Sequence, residues 1–314
     1  MLSRVSFVLA WTLALTGLGC AGESGGGSTP GGGTSGPPDG VVIVEAAPAA
    51  APFLRAAAEQ FEEENDEVTV EVRDSTPRRG LAAVCARRAT MAGGPRRLPT
   101  GRRARECRRS GLSVRRAAIA NEALAVVTNP ALPIDCLTRR ELTRLWRRGS
   151  RVTNYAQLDE RLPNQTARLY GAVPGTSAFE LFAAEGLGGP PRPDAGGAVE
   201  GEATVRAIAL DPGGLGYLSL PLLEQNQDEL NAVALDAGAR CVRPGVQAVH
   251  TGEYGLARPL YLHLGEEMLA RPEVRAFAGF TFLRQRQLAE AAQAVPLSDA
   301  QVEETGKQLE PPEE

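Results

Sequence analysis

Short strand-like runs alternate with helix-like runs from residue 41 onward, and this alternation constrains the fold more than any other feature of the chain. Residues 41–45 read as a buried strand. Residues 53–64 read as a helix, with Phe53, Ala57 and Phe61 on one face at four-residue spacing. Residues 68–73 alternate apolar and polar as a half-buried strand does, and 123–128 form an apolar run suited to a central strand. Thr138-Arg139-Arg140-Glu141 is a capping box: a Thr at the N-cap and a Glu three residues on satisfy each other's orphan backbone donors. Leu142, Leu145 and Trp146 follow on the helix behind it. Gly213-Gly214-Leu215-Gly216-Tyr217 turns into a strand, and 259–264 gives another. Residues 273–292 read as one helix presenting Val274, Phe277 and Leu283, and the acidic segment from Pro296 to the end reads as loosely packed. The pattern indicates an α/β protein with mostly parallel pairing. No internal repeat is visible.

The start of the chain points to export. Arg4 supplies a positive charge, an apolar stretch from Val5 to Leu18 is short for a bilayer span, and small residues precede Cys20. A cysteine there suggests a lipoprotein, with cleavage before Cys20 and lipidation of its sulfur; plain secretion is the alternative. Residues 21–40 are mostly Gly, Ser, Thr and Pro, which offer little apolar surface to bury and make a flexible tether. No later segment is long and apolar enough for a transmembrane helix. Setting Cys20 aside from the five cysteines leaves Cys85, Cys107, Cys136 and Cys241, and an even number in an exported chain suggests two disulfides, for which three pairings are open. The remaining length exceeds one typical compact core, so two lobes are expected.

The net charge is only −4, but between Arg78 and Arg116 there are thirteen arginines and one acid, Glu106. This run reads either as a solvated, partly helical face or as an electropositive rim that attracts anions. It has no interleaved aromatics, which argues against nucleic acid as a partner. Metal binding is not expected, because Cys-x-x-Cys is absent and the two histidines, His250 and His263, lie far from every Cys in sequence and read as ordinary surface or strand residues. Gly-x-Ser-x-Gly is also absent, and neither histidine has a nucleophile at a suggestive position. No catalytic residue and no cofactor are expected.

One stretch carries a family resemblance. It runs through Asn129-Pro130, Cys136-Leu137-Thr138, Glu141-Leu142, Leu145-Trp146, Gly149-Ser150 and Val152-Thr153-Asn154-Tyr155, then Leu169-Tyr170-Gly171 and Gly175-Thr176-Ser177 with Phe179 and Phe182. Asp211 to Tyr217, Cys241-Val242-Arg243-Pro244 and Gly252 to Leu260 extend it. In that order and spacing the chain resembles the periplasmic phosphate-binding proteins of bacterial phosphate ABC importers, as a divergent member. The resemblance implies an α/β, two-lobed type II periplasmic binding protein whose chain crosses twice between lobes. Lobe 1 would hold 41–129 and 247–314, and lobe 2 would hold 130–246. It favours the pairings Cys85–Cys107 and Cys136–Cys241. It also implies a monomeric, non-enzymatic binding lipoprotein on the outer side of a bacterial membrane, with phosphate or a related oxyanion as ligand and an ABC permease as partner.

A dry oxyanion site needs backbone N–H groups at helix N-termini and hydroxyl donors. The family draws these from four loops, and this chain alters them. The first reads Glu45-Ala46-Ala47-Pro48-Ala49, without hydroxyls and with a proline that lacks an N–H. The second, Ser75-Thr76-Pro77-Arg78-Arg79-Gly80, keeps Ser75 and Gly80 but has arginines in place of glycines. In the third, Thr90 takes the place of an acid and Pro95-Arg96 the place of Ser-Arg. The fourth keeps Gly175-Thr176-Ser177, where Ser177 with Glu180 also reads as a simple capping box. Ser75, Arg78, Arg96, Thr176 and Ser177 are the expected ligand donors. The losses leave a second possibility: a binding-protein fold without small-anion binding, serving as a surface-anchored interaction or sensory protein.

Overall fold

The computed structural model describes residues 37–95, 107, 109, 111–193, 201–238 and 240–309. The export segment, Cys20, the tether up to residue 36 and Arg96 lie outside the described residues. Strands β1 (Val41–Ala46), β2 (Thr69–Asp74) and β3 (Met91–Gly94) alternate with helices α1 (Ala51–Glu64) and α2 (Pro77–Cys85). Both β1–β2 and β1–β3 are parallel, as helical crossovers require. Then come β4 (Val114–Thr128), β5 (Cys136–Leu137), α3 (Arg139–Trp146), β6 (Arg168–Tyr170) and α4 (Ser177–Leu181), which runs on into a π-helical turn, Phe182–Leu187. Strands β7 (Gly214–Ser219), β8 (Asn231–Asp236), β9 (Cys241–Val242) and β10 (Ala257–Gly265) complete the sheet.

The strand order is β2-β1-β3-β10-β4-β7-β6, with β8 also paired to β4, β5 and β9. The sheet is therefore mixed, not mostly parallel. Strand β10 runs antiparallel to both β3 and β4, and β4 runs antiparallel to β7 and β8. Among the described residues, parallel pairing is confined to β1–β2, β1–β3, β6–β7 and β5–β8. The long strand β4 explains the difference. It begins at Val114, well before the run expected at 123–128, and its first half sets Arg115 and Arg116 ahead of buried Ala117, Ile119 and Ala120. There Arg115 donates to Glu266 at 2.6 Å and Arg116 lies 4.5 Å over the Tyr261 ring.

Two large apolar clusters are buried. One gathers Phe53, Leu54 and Phe61 of α1 with Val42 and Val44 of β1, Leu260 and Leu262 of β10, and Phe277. The other gathers Leu124 and Val126 of β4 with Trp146, Tyr155, Phe182, Leu215 and Tyr217. In the second, the Phe182 and Tyr217 rings stack at 3.9 Å and Trp146 meets both edge-on. Strand β4 supplies Ile119 and Ala120 to the first cluster and Ala123 onward to the second.

Three local expectations need correction. The helix expected over 273–292 is two, Pro272–Leu283 and Gln285–Ala291, because Arg284 leaves helical geometry at φ −95°, ψ 8°. Val274 and Phe277 are buried as expected, but Leu283, in the last turn before that break, is 82% exposed. The acidic C-terminal segment is not loose. Asp299–Leu309 is a helix whose Thr305 is buried, with its hydroxyl donating to the Ala118 carbonyl and accepting from the Ala118 N–H. The resemblance's disulfides are both present: Cys85–Cys107 and Cys136–Cys241, with Cα atoms 4.9 and 6.1 Å apart. His263 is a buried β10 residue, and His250 sits half-buried on the short helix Val246–His250, where its Nε2 meets the Pro296 carbonyl at 2.9 Å.

Candidate functional site

The loop between β1 and α1 is built from small residues, and its backbone is largely spoken for. The Ala47 N–H donates to the Gly93 carbonyl at 2.9 Å, and the Ala50 and Ala51 N–H groups donate to Ala47. The loop lies this close to β3 because Gly94 has no side chain; a Cβ there would stand 3.1 Å from that of Ala47. Pro48 has no N–H to give. As the sequence implies, this loop offers no hydroxyl.

The next loop joins β2 to α2. The Ser75 N–H donates to the Ala46 carbonyl at 2.9 Å, which ties the two loops together. Thr76 caps α2, accepting from the Arg79 N–H at 3.3 Å. The Ser75 hydroxyl is buried and meets no hydrogen-bond partner among the described residues. Arg78 and Arg79 are exposed. Thr90, where an acid was expected to be replaced, is fully buried and donates to the Ile43 carbonyl at 2.7 Å, so it serves the core and not the site.

On the far side of the cleft, Gly175 takes φ +93°, a conformation that favours glycine, and turns the chain into α4. The N-cap is Thr176, not Ser177: Thr176 Oγ1 accepts from the Phe179 N–H at 3.4 Å and donates to the Val173 carbonyl at 2.8 Å. The Ser177–Glu180 capping box does not form. The Ser177 hydroxyl donates instead to Glu122 Oε1, and the other carboxylate oxygen accepts from Arg258 Nε at 2.7 Å. Glu122 and Arg258 face each other as cross-strand partners on β4 and β10. Burial pushes the Glu122 carboxyl above its ordinary value, against the opposing pull of Arg258 and Ser177.

Two cavities meet here. The larger, about 880 Å³, is lined by Ser75, Arg78, Pro95, Gly175, Ser177 and Arg258, among others. The second, about 600 Å³, includes Glu122, Thr176 and Ser177, and the two share Pro48, Ala49 and Ser177. Pro48 and Arg78 line the larger cavity without filling it. Of the expected donors, Ser75, Arg78 and Ser177 come together in one cavity, Thr176 lies in its neighbour, and Arg96 lies outside the described residues. Glu122 and Arg258 were not among the expected site residues. Each borders a run of buried apolar residues in its strand, a signal that marks the position but not its partner.

A family model described as a PBP superfamily domain matches residues 28–285. The chain belongs to the PBP superfamily. The SphX protein of Synechococcus elongatus is 27% identical to it over 247 residues, covering 77% of this chain and 73% of that protein. A possible phosphate-binding protein from Planctomyces limnophilus is 28% identical, with a TM-score of 0.79 over 86% of this chain and 98% of that one. An ABC-type phosphate transport receptor from Vibrio cholerae shares the fold at 16% identity, with a TM-score of 0.65 over 81% of this chain and 99% of the receptor. The architecture of this PBP superfamily member is that of the type II periplasmic binding proteins, and the Glu122–Arg258 pair lies where β4 and β10 run side by side between its two buried clusters.

Proposed function

We propose that this chain is an extracytoplasmic solute-binding protein that captures phosphate or a related oxyanion between two lobes and delivers it to an ABC importer. The lobes are 41–129 with 247–314, and 130–246. Cys20 is the lipid-bearing residue and residues 21–40 are the tether, so the binding domain stays near the membrane while moving freely. The chain binds and does not catalyse.

One observation carries the reading: three side chains with donors left unspent among the described residues line the same cavity. The Ser75 hydroxyl meets no partner among the described residues. Arg78 is exposed and meets no acceptor among the described residues. Arg258 spends Nε on Glu122, and among the described residues no acceptor meets its two Nη atoms. An arginine presenting both Nη groups suits a multi-oxygen anion, and such charge-assisted bonds strengthen in a partly dry cleft. The names of the relatives point the same way. A second reading, a partner-binding protein without a small-anion ligand, draws on the Ser177 hydroxyl being held by Glu122 and on a first loop whose Ala47 N–H is taken by Gly93 and whose Ala50 and Ala51 N–H groups are taken by Ala47.

Calorimetric titration of the purified protein with phosphate and with sulfate separates them. Micromolar or tighter phosphate binding, weakened at least tenfold by both Ser75→Ala and Arg258→Gln, is the expected result. No heat with either anion would leave the partner-binding reading.

A further inference from the structure

The second cavity goes beyond what a bare inorganic anion needs. Its walls include Leu124, Leu218, Leu222 and Leu260, all buried, and its lining carries two carboxylates, Glu122 and Glu202. Among the described residues no arginine or lysine lines it, whereas Arg78 and Arg258 line its neighbour. The adjoining spaces thus differ in character: the larger sets Arg78 and Arg258 beside Glu180 and Glu185, whereas the other has apolar walls and carboxylates with no cation among the described residues. They meet at Ser177, Pro48 and Ala49, so a ligand of a few bonds' length reaches from one into the other.

We propose that the physiological ligand is an organic oxyanion with a short amine-bearing substituent, of the aminoalkylphosphonate or aminoalkyl phosphate class. This rests on the oxyanion reading of the larger cavity and names the ligand class. The oxyanion head takes the free donors of Ser75, Arg78 and Arg258. The carbon chain runs past Ala49 against the leucines, which gain by excluding water from it. The ammonium enters the space that Glu122 and Glu202 line. Each Glu122 oxygen already accepts one hydrogen bond and retains a lone pair for another. A cavity of this size with apolar walls and a few convergent polar groups is typical of small-molecule sites.

The test titrates the intact protein with inorganic phosphate, ethylphosphonate and 2-aminoethylphosphonate. The expected order is 2-aminoethylphosphonate at least tenfold tighter than inorganic phosphate, with ethylphosphonate between. Ala292→Trp, which adds bulk to the second cavity at a residue that does not line the larger one, should remove that preference and leave inorganic phosphate affinity within about twofold. If that variant does not fold, Glu122→Gln should narrow the gap between the amine-bearing and plain ligands. Inorganic phosphate binding as tightly as the organic ligands, or more tightly, overturns the ligand class while the oxyanion reading stands. If none of the three binds, both fall.

Discussion

Glu122 concentrates the chemistry of the cleft in one side chain. Its carboxylate is held by the Ser177 hydroxyl and by Arg258, yet burial dominates and its pKa lies above the ordinary carboxylate value of 4.5. A carboxyl whose folded-state pKa exceeds its unfolded value keeps its proton longer in the native state. Its contribution to stability is therefore full below the unfolded pKa and is lost as pH rises through the folded one. Glu122→Gln removes this dependence. The melting temperature of the variant minus that of the wild type should rise as pH goes from about 4 to 7, and thermal melts by circular dichroism at several pH values would show it. A difference that stays flat or falls would mean the Arg258 pair outweighs desolvation. Neither the pair nor its sign was legible in the sequence. Glu122 and Arg258 are 136 residues apart, and only the antiparallel register of β4 and β10 sets them face to face.

At the level of elements, what the sequence revealed was local. The Thr138–Glu141 box is present in full because both partners lie within one turn. The start of α4 was misread by one residue. Thr176 and Ser177 can both cap, and the choice is made by Glu122, fifty-five positions away, which draws off the Ser177 hydroxyl. The first half of β4 is not legible locally because its two arginines find partners from the far end of the chain, Glu266 and Tyr261. The folded C-terminal helix was missed for a like reason, since Thr305 is buried by Ala118 and not by its own neighbours in sequence. The disulfides follow the other logic, a family resemblance supplying what spacing leaves open. Cys136 and Cys241 are 105 residues apart and join β5 to β9 on either side of β8. Closing a loop of that length restricts the unfolded chain by about 4–5 kcal/mol in the loop-entropy model. The double variant Cys136→Ser/Cys241→Ser should lose a large part of that in urea unfolding, with phosphate affinity nearly unchanged if the native fold is retained, because neither cysteine lines the cleft.

At the scale of the whole molecule, the donors are divided between the two buried clusters. Ser75 stands on the loop that leads into α2 and Arg78 in the first turn of α2, and the Ser75 N–H ties that loop to Ala46, a member of the cluster built around α1. Ser177 begins α4, whose continuation buries Phe182 in the other cluster. Arg258 and Glu122 lie between, on the adjacent strands β4 and β10, where the buried residues pass from one cluster to the other. An oxyanion held by Ser75, Arg78 and Arg258, all within 41–129 and 247–314, draws the other side inward where it also reaches Gly175 and Ser177 across the same cavity, because a hydrogen bond weakens steeply outside a narrow distance range. In the proposed reading the ligand is therefore the closing force between the lobes, and small-angle scattering should show the radius of gyration falling on saturation with ligand. The same ligand at a hundredfold excess over its Kd should raise stability by about 2.7 kcal/mol, since it binds only the folded chain. Arg258→Gln should lose both effects together. A thermal shift without compaction would place the ligand on one lobe alone, and the cleft between the lobes would then be the surface left for a protein partner.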